Sequence, residues 1–316
     1  MKLVTYQSAG IKRIGSVHNE QIIDLNYAYR SMLEADGSLR SEQIAEAFVP
    51  PHMVEFLKGG EQSMRAAKEA AAYALSHAES LSYQVFHNVN EVKIEAPVTT
   101  PGKIICVGHN YREHILEMGR ELPTIPVVFA KFGNTVVGPQ DDIPFYPVSD
   151  QLDYEAEFAF VIGKRARCVS EADALQYVAG YTVANDVTYR DLQRRTIEWL
   201  QGKTVEGSAP MGPWLVTADE LGNPAGLDIS LTVNGERRQH SNTANLVFTV
   251  PFLIQFLSNL MTLEPGDIVL TGTPGGVGVA REPQAFLKEG DVVRVEIENI
   301  GALENRVVRV NEGVRG

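Results

Sequence analysis

Asp153-Tyr-Glu-Ala-Glu-Phe-Ala-Phe-Val-Ile-Gly163 reads as a strand that should bury apolar side chains, yet it carries Glu155 and Glu157. Strand side chains alternate with a period of two, so the two glutamates share one face and Ala156, Phe158 and Phe160 occupy the other. Two like charges close together beside an apolar face are poorly solvated and repel, and the arrangement asks for a cation or a shared proton. A divalent metal is the simplest companion. A solvated edge strand with two outward glutamates is the plainer alternative.

The rest of the chain bounds the choice. Its 316 residues suffice for one large domain or two smaller ones with a substantial core. With 28 Lys and Arg against 40 Asp and Glu the formal charge is −12, and no basic run appears. Such a chain repels phosphate backbones, so no nucleic-acid partner is expected. Cys106 and Cys168 have no C-x-x-C spacing and read as small buried hydrophobes rather than a disulfide or thiolate site. The N-terminal residues lack a basic segment followed by an apolar core, and no stretch approaches the roughly 20 apolar residues of a membrane span. The expectation is a cytoplasmic protein with no membrane partner.

Residues 1–98 read as a small α+β domain. Short strands at 2–6, 13–17 and 21–24 are joined by turns at Gly10 and Gly15, and helices follow over 41–57, interrupted at Pro50-Pro51, and over 61–81. The helix-incompatible, turn-rich segment 97–102 marks the boundary. Residues 99–316 are strand-dominated, with β-runs at 103–107, 127–130, 155–162, 180–185, 213–216, 228–233, 267–271 and 291–298. Helices near 111–120, 171–178, 189–199 and 249–259 are too few and too irregular for a doubly wound parallel sheet. The predicted fold class is therefore α+β, a mixed β-sheet roll or sandwich with a smaller N-terminal α+β domain.

Asp186 ends the 180–185 run, where it can converge with the glutamates of a neighbouring strand. Three carboxylates with no nearby His or Cys select Mg²⁺ or Mn²⁺ over zinc or copper. Taken alone, Asp186 reads as the cap of the helix that follows. Arg190 and Gln193 stand at i and i+3 on that helix and share a face from which they could orient a substrate carboxylate. Lys203 follows a glycine in a loop. His114 and Glu117 lie three residues apart on a predicted helix, a spacing at which the carboxylate fixes the imidazole tautomer and raises its basicity, as activation of water requires. An amphipathic helix with a chance pair is the plainer reading there. Residues 265–271 run into a glycine-rich loop that lacks the Gly-Lys-Ser/Thr of a phosphate loop; its amides and the Thr273 hydroxyl could hold a carboxylate.

In order along the chain stand G-x-N-Y-x-x-H-x-x-E, D-Y-E-x-E-x-x-x-V-I-G, N-D-V-T-x-R-D-x-Q, a G-K loop leading into P-M-G-P-W, V-N-G-E-x-R-Q, and P-G-D-I-V-L-T-G-T-P-x-G-V-G. Over about residues 102–310 the chain thereby resembles the fumarylacetoacetate hydrolase family. The resemblance implies a mixed β-roll assembled as a homodimer. It implies Glu155, Glu157 and Asp186 as ligands of Mg²⁺ or Mn²⁺, His114 with Glu117 as the water-activating dyad, and substrate contacts from Lys131, Arg190, Gln193, Lys203 and Thr273. The implied activity is hydrolysis of a C–C bond in a small 1,3-dicarbonyl acid such as an acylpyruvate, the metal acting as electron sink while Lys203, Arg190 and Gln193 stabilise developing charge. Decarboxylation of oxaloacetate, or isomerisation or hydration of unsaturated 2-oxo diacids, would use the same enolate. A catalytically silent metal-binding protein is the reading from another class. Two departures fall near the expected pocket. His109 stands where relatives often carry Arg or an apolar residue, and residues 204–209, Thr-Val-Glu-Gly-Ser-Ala, replace the more usual S-F-D-T-aromatic-C.

Overall fold

The computed structural model describes residues 1–117, 119 and 121–310. Its spine is a large sheet whose strands run, side by side, Phe86–Asn88, Gln21–Asp24, Ile11–His18, Lys2–Ser8, Ala209–Thr217, Val178–Asn185, Ala156–Ile162, Ile268–Leu270, Ile104–Gly108 and Val127–Lys131. It is a mixed sheet, because Ile268–Leu270 and Ile104–Gly108 run parallel while their neighbours are antiparallel. The Ala156–Ile162 strand is paired on both sides and buried at every residue, which excludes the solvated-edge alternative.

Alternation along that strand feeds two separate cores. Ala156, Phe158, Phe160 and Ile162 enter one, together with Tyr181, Val183 and the apolar face of a second sheet that includes Ile229, Leu231, Val295 and Leu303. This second sheet is ordered Glu236–Asn242, Asp228–Val233, Val292–Ile297, Gly301–Arg309 and Ile143–Phe145, and it closes the roll. Ala159 and Val161, on the face shared with Glu157, enter the other core beside Ala184 and Leu270. The N-terminal helices supply its far side through Leu25, Phe56, Ala67 and Ala70. Each fully buried Phe or Leu contributes about 1.5–3 kcal/mol relative to exposure, so the two glutamates sit at the end of a strand whose remainder is held by apolar burial on both faces.

The first residues join the same sheet: Lys2 and Leu3 pair with Val216 and Leu215, carrying the ladder across the boundary expected at 98/99. Helices Ser41–Phe48 and Met53–Lys58 are separated at Pro50-Pro51, as the sequence predicts. Helix Gly60–Ser76 buries Ser63, Ala66, Ala67, Ala70, Ala71 and Ala74, a stripe of small side chains that lets it lie close to Leu25–Ala35. That last helix was not foreseen. Asp24 ends a strand and at once caps it, its carboxylate accepting from the Tyr27 N–H at 2.8 Å.

Other local expectations are corrected. Gly15 lies within Ile11–His18 rather than at a turn; a Cβ there would meet Ile22 Cγ2 at 2.3 Å, so the glycine allows close approach of a neighbouring strand. The expected helix at 189–199 is confined to Arg190–Arg194, and that at 171–178 folds as a 3₁₀ helix, Glu171–Tyr177. Within 111–120 the helix is Arg112–Glu117, while Met118 and Arg120, like residues 311–316, lie outside the described residues. Cys106 is buried as expected, but Cys168 is exposed. No helix among the described residues is long and apolar enough to cross a membrane.

Candidate active site

Strand register brings the three carboxylates together. Ala156 pairs with Asn185 and Glu157 with Ala184. Glu155 and Asp186 come next at that end, joined by the Asp186 N–H to the Glu155 carbonyl at 2.9 Å. Directly opposed residues of antiparallel strands have Cβ atoms about 4.5–5.5 Å apart, and Glu157 follows two residues on along the same face. Ligand oxygens of Glu155, Glu157 and Asp186 accordingly all lie within 4.8 Å of one another, and all three residues are buried. Asp186 does not cap the next helix, whose N-cap is Tyr189.

Three buried cations answer these charges. Lys203 Nζ donates to Glu155 Oε2 at 2.8 Å and to Asp186 Oδ2 at 2.7 Å. Lys131 Nζ donates to Asp186 Oδ1 at 2.9 Å, to Ser208 Oγ at 3.1 Å and to the Val187 carbonyl at 3.2 Å. Arg190 reaches Asp153 Oδ2 through Nε at 2.7 Å and Glu155 Oε1 through Nη1 at 2.6 Å, and Nη1 also meets Gln193 Oε1 at 3.1 Å. Its Nη2 is buried and finds no partner among the described residues.

Charge balance singles out one carboxylate. Burial would raise the pKa of Glu155, but Lys203 and Arg190 outweigh it and hold the group at about 2. Burial works against charge on Lys203 too, and Asp186 and Glu155 more than reverse it. Glu157 differs: burial first, then Asp186 and Glu155, push its pKa well above the ordinary carboxylate range. It accepts from the Gly272 N–H and forms no ion pair among the described residues. Counting Asp153, four carboxylates face Lys131, Arg190 and Lys203, and the uncompensated charge falls on Glu157. A hard divalent ion among these oxygens would more than offset that charge and leave the site ready for an anionic ligand, and an all-oxygen donor set without His or Cys suits Mg²⁺ or Mn²⁺.

The glycine-rich loop does hold carboxylates, but they are the protein's own. Gly272 donates to Glu157, Gly276 to Glu117 Oε2 at 3.0 Å, and Gly278 and Val279 to Asp153 at 2.7 and 3.0 Å. The amides thus hold carboxylates as the sequence suggests, and those carboxylates belong to the chain itself. Thr273 Oγ1 accepts from Gln239 Nε2 at 2.9 Å. His114 is buried, with Nδ1 3.5 Å from Glu117 Oε2. The hydrogen bond with His114 lowers the pKa of Glu117, partial burial opposes it, and the Gly276 N–H assists.

His114, Glu155, Glu157, Arg190, Gln193, Lys203 and Thr273 line one cavity of about 90 Å³. Sites for drug-sized ligands run to roughly 300–1,000 Å³, so this one suits a short acid. Three expected site residues do not line it: Asp186 is covered by Lys203 and Lys131, Lys131 lies behind Asp186, and Glu117 reaches the cavity through His114.

Several residues that build the site were not anticipated from the sequence. Asp153 ties Arg190 to the Gly278 and Val279 amides. Gln239 accepts from the Ala156 N–H at 2.9 Å and donates to the Pro274 carbonyl at 2.7 Å, joining the central strand to the loop. Asn110 bridges the Phe248 and Thr271 carbonyls at 3.0 and 2.7 Å. All three stand inside the motifs quoted above, which was the available signal. The aromatic lining, Phe129 and Trp199, gave none.

Comparison with known proteins agrees with this fold. The family model described as fumarylacetoacetate (FAA) hydrolase C-terminal matches residues 103–308. The mitochondrial oxaloacetate tautomerase fahd2 of Xenopus laevis is 44% identical over 314 residues, covering 98% of this chain and 90% of that protein. Among solved structures, the fumarylacetoacetate hydrolase of the psychrophile Exiguobacterium antarcticum superposes with a TM-score of 0.79 at 32% identity, covering 98% of this chain and 100% of the other. Maleylpyruvate hydrolase from Sphingobium sp. SYK-6, solved in complex with manganese(II) and pyruvate, superposes with a TM-score of 0.72 at 28% identity and the same coverage.

Proposed function

Because the chain belongs to the fumarylacetoacetate hydrolase family, we propose that it interconverts the keto and enol forms of oxaloacetate or a closely similar small 2-oxo diacid. Glu155, Glu157 and Asp186 would hold the divalent ion, Mg²⁺ or Mn²⁺. The observation that carries the proposal is the uncompensated, buried Glu157 within an oxygen triad of which Glu155 and Glu157 line a cavity of about 90 Å³. When bound, the ion supplies Lewis-acid polarisation of a carbonyl oxygen. The protein's own groups do the rest. Arg190, through its unpartnered Nη2, and Gln193 bind a substrate carboxylate; Thr273 donates its hydroxyl hydrogen to a substrate oxygen. His114 takes a proton from the carbon between the two carbonyl groups and delivers it to the keto oxygen to give the enol, the reverse transfer regenerating the keto form, while Glu117 fixes the ring. Lys203 stabilises the charge that develops on oxygen, and Lys131 supports it from behind Asp186 by holding that carboxylate in place. The oxaloacetate tautomerase similarity over nearly the whole chain supports this choice of substrate.

Hydrolysis of an acylpyruvate is the second reading, favoured by one observation: the His114–Glu117 pair has the arrangement that activation of water requires. One set of assays separates the readings. The purified protein with Mg²⁺ or Mn²⁺ is given enol-oxaloacetate, followed by its absorbance, and acetylpyruvate or fumarylpyruvate, followed by pyruvate release, with CO₂ release as the measure of decarboxylation. Faster enol decay that Glu157→Ala abolishes is the expected outcome. Pyruvate release with oxaloacetate tautomerising only at its solution rate would replace the tautomerase by the hydrolase, and no turnover of any of them would leave a silent metal-binding protein.

A homodimer is proposed for the assembly, to be checked by sedimentation. For the compartment, the cytoplasm is one reading and the mitochondrion, for which the tautomerase relative is named, is the other; cell fractionation separates the two. The division into units 1–98 and 99–316 is proposed as a division of the chain, with limited proteolysis as its test.

A further inference from the structure

Trp199 lines the cavity and has none of the roles assigned above. Its indole meets the His109 ring edge-on, with centroids 5.3 Å apart at 89°, and the Phe129 ring at 5.3 Å and 65°. His109 and Phe129 line the same cavity. The cationic and aromatic parts of the lining adjoin, since Lys203 Nζ lies 5.0 Å from the Phe129 centroid. Behind the indole there is no spare room. A Cβ added to Gly108 would lie 2.6 Å from Trp199 Cζ3 and 2.9 Å from Cη2, so the ring rests directly on the Gly108 backbone.

The backbone of Trp199 is fixed by the same turn that delivers Lys203. Trp199 is the N-cap of Leu200–Lys203, the Gly202 N–H donates to its carbonyl at 3.0 Å, and Lys203 at the other end grips Glu155 and Asp186. Its near neighbour Ile197 is 94% exposed, so the segment as a whole is not buried; the indole alone turns inward, onto two aromatic rings and a glycine. The position of the wall relative to the carboxylate triad is thereby set by one short helical turn.

Resting on the small 2-oxo acid reading, we infer that Trp199 sets the size limit of the substrate. The indole, backed by Gly108 and flanked by His109 and Phe129, closes the cavity against acids whose tail is longer or bulkier than that of a short oxo acid. Gly108 is the complementary half of the device, because only a residue without a side chain leaves the indole where it is.

The test uses the Mn²⁺-loaded protein and calorimetric binding of pyruvate, 2-oxobutyrate and 4-phenyl-2-oxobutyrate. Wild type, Trp199→Ala, Gly108→Ala and the double variant are compared, each with a thermal melt. Wild type should bind pyruvate and discriminate against the phenyl acid. Trp199→Ala should narrow that ratio by about tenfold or more with little change for pyruvate. Gly108→Ala should push the indole inward and weaken even pyruvate, and removing the indole in the double variant should restore it. A Trp199→Ala protein that shifts all three acids by one factor overturns the size limit while leaving the oxo-acid reading intact. Should that variant not fold, unchanged binding of all three acids by Gly108→Ala overturns the inference in its place. If wild type binds Mn²⁺ but none of the three acids, the oxo-acid reading fails and the size limit fails with it.

Discussion

The floor of the cavity and its rim are built by different means. On the floor, Glu155, Glu157 and Asp186 stand at the paired ends of two central strands, and Lys131 and Lys203 reach Glu155 and Asp186 at 2.7–2.9 Å with every partner buried. On the rim, His114 and Glu117 sit on a six-residue helix, 3.5 Å apart, with the Glu117 side chain 31% exposed. The floor is therefore preorganised: its charges are placed by the sheet before any ligand arrives. The rim is looser, and its long hydrogen bond is of the kind that tightens only when substrate binds. Stability should be sensitive to the floor and turnover to both.

The largest effect expected is from Lys203→Met. It strips two buried carboxylates of a shared cation, and breaking a buried pair in this way costs about 3–5 kcal/mol. Urea denaturation of the metal-free protein measures it. At the rim, His114→Ala should lower turnover about 10²–10⁴-fold while costing about 1 kcal/mol of stability, well short of Lys203→Met, and leaving Mn²⁺ affinity as in wild type. If His114→Ala unfolds as readily as Lys203→Met, the distinction between floor and rim collapses.

A subtler contrast comes from pH. The hydrogen bond with His114 places the folded pKa of Glu117 below its ordinary value, against the effect of partial burial and with help from Gly276. A lowered folded pKa means the contribution to stability is fully present above the unfolded value of about 4.3 and is lost as pH falls through the folded value. The melting-temperature gap between wild type and Glu117→Gln should shrink steadily as pH is lowered from about 6 to below about 4. A constant gap would show that the carboxylate charge contributes nothing there. The smallest effect is at the surface: Lys68 and Asp219 lie 2.6 Å apart, but their side chains are 47% and 58% exposed. Lys68→Ala should cost about 0–1 kcal/mol, the baseline against which the floor is judged.

Much of this arrangement could be read from the chain where local signals were strong. The Asp228–Val233 strand alternates cleanly, and Pro50-Pro51 marks the break between two helices. The strands Glu236–Asn242 and Gly301–Arg309 escaped notice because they are rich in charged and polar residues and owe their conformation to the partners they pair with. Leu25–Ala35 escaped because its cap, Asp24, also ends a strand. The helix expected at 189–199 stops at Arg194, and five residues on Trp199 packs on Gly108 in the cavity wall, a contact no local pattern could encode. At the site, residue types and motif order indicated the triad and the dyad. What stayed hidden depends on long-range geometry: Lys131 lying behind Asp186, Asp153 tying Arg190 to a loop 125 residues away, and the loop amides turning to the protein's own carboxylates.

Titration with Mn²⁺ tests the central claim most directly. Wild type and Glu157→Gln are compared by calorimetry, with urea denaturation confirming that both are folded. Glu157 is the uncompensated carboxylate of the triad, so wild type should bind one ion per chain and Glu157→Gln should lose at least about 100-fold in affinity. A wild-type protein that takes up no ion, or a Glu157→Gln protein that binds as tightly, would contradict the account.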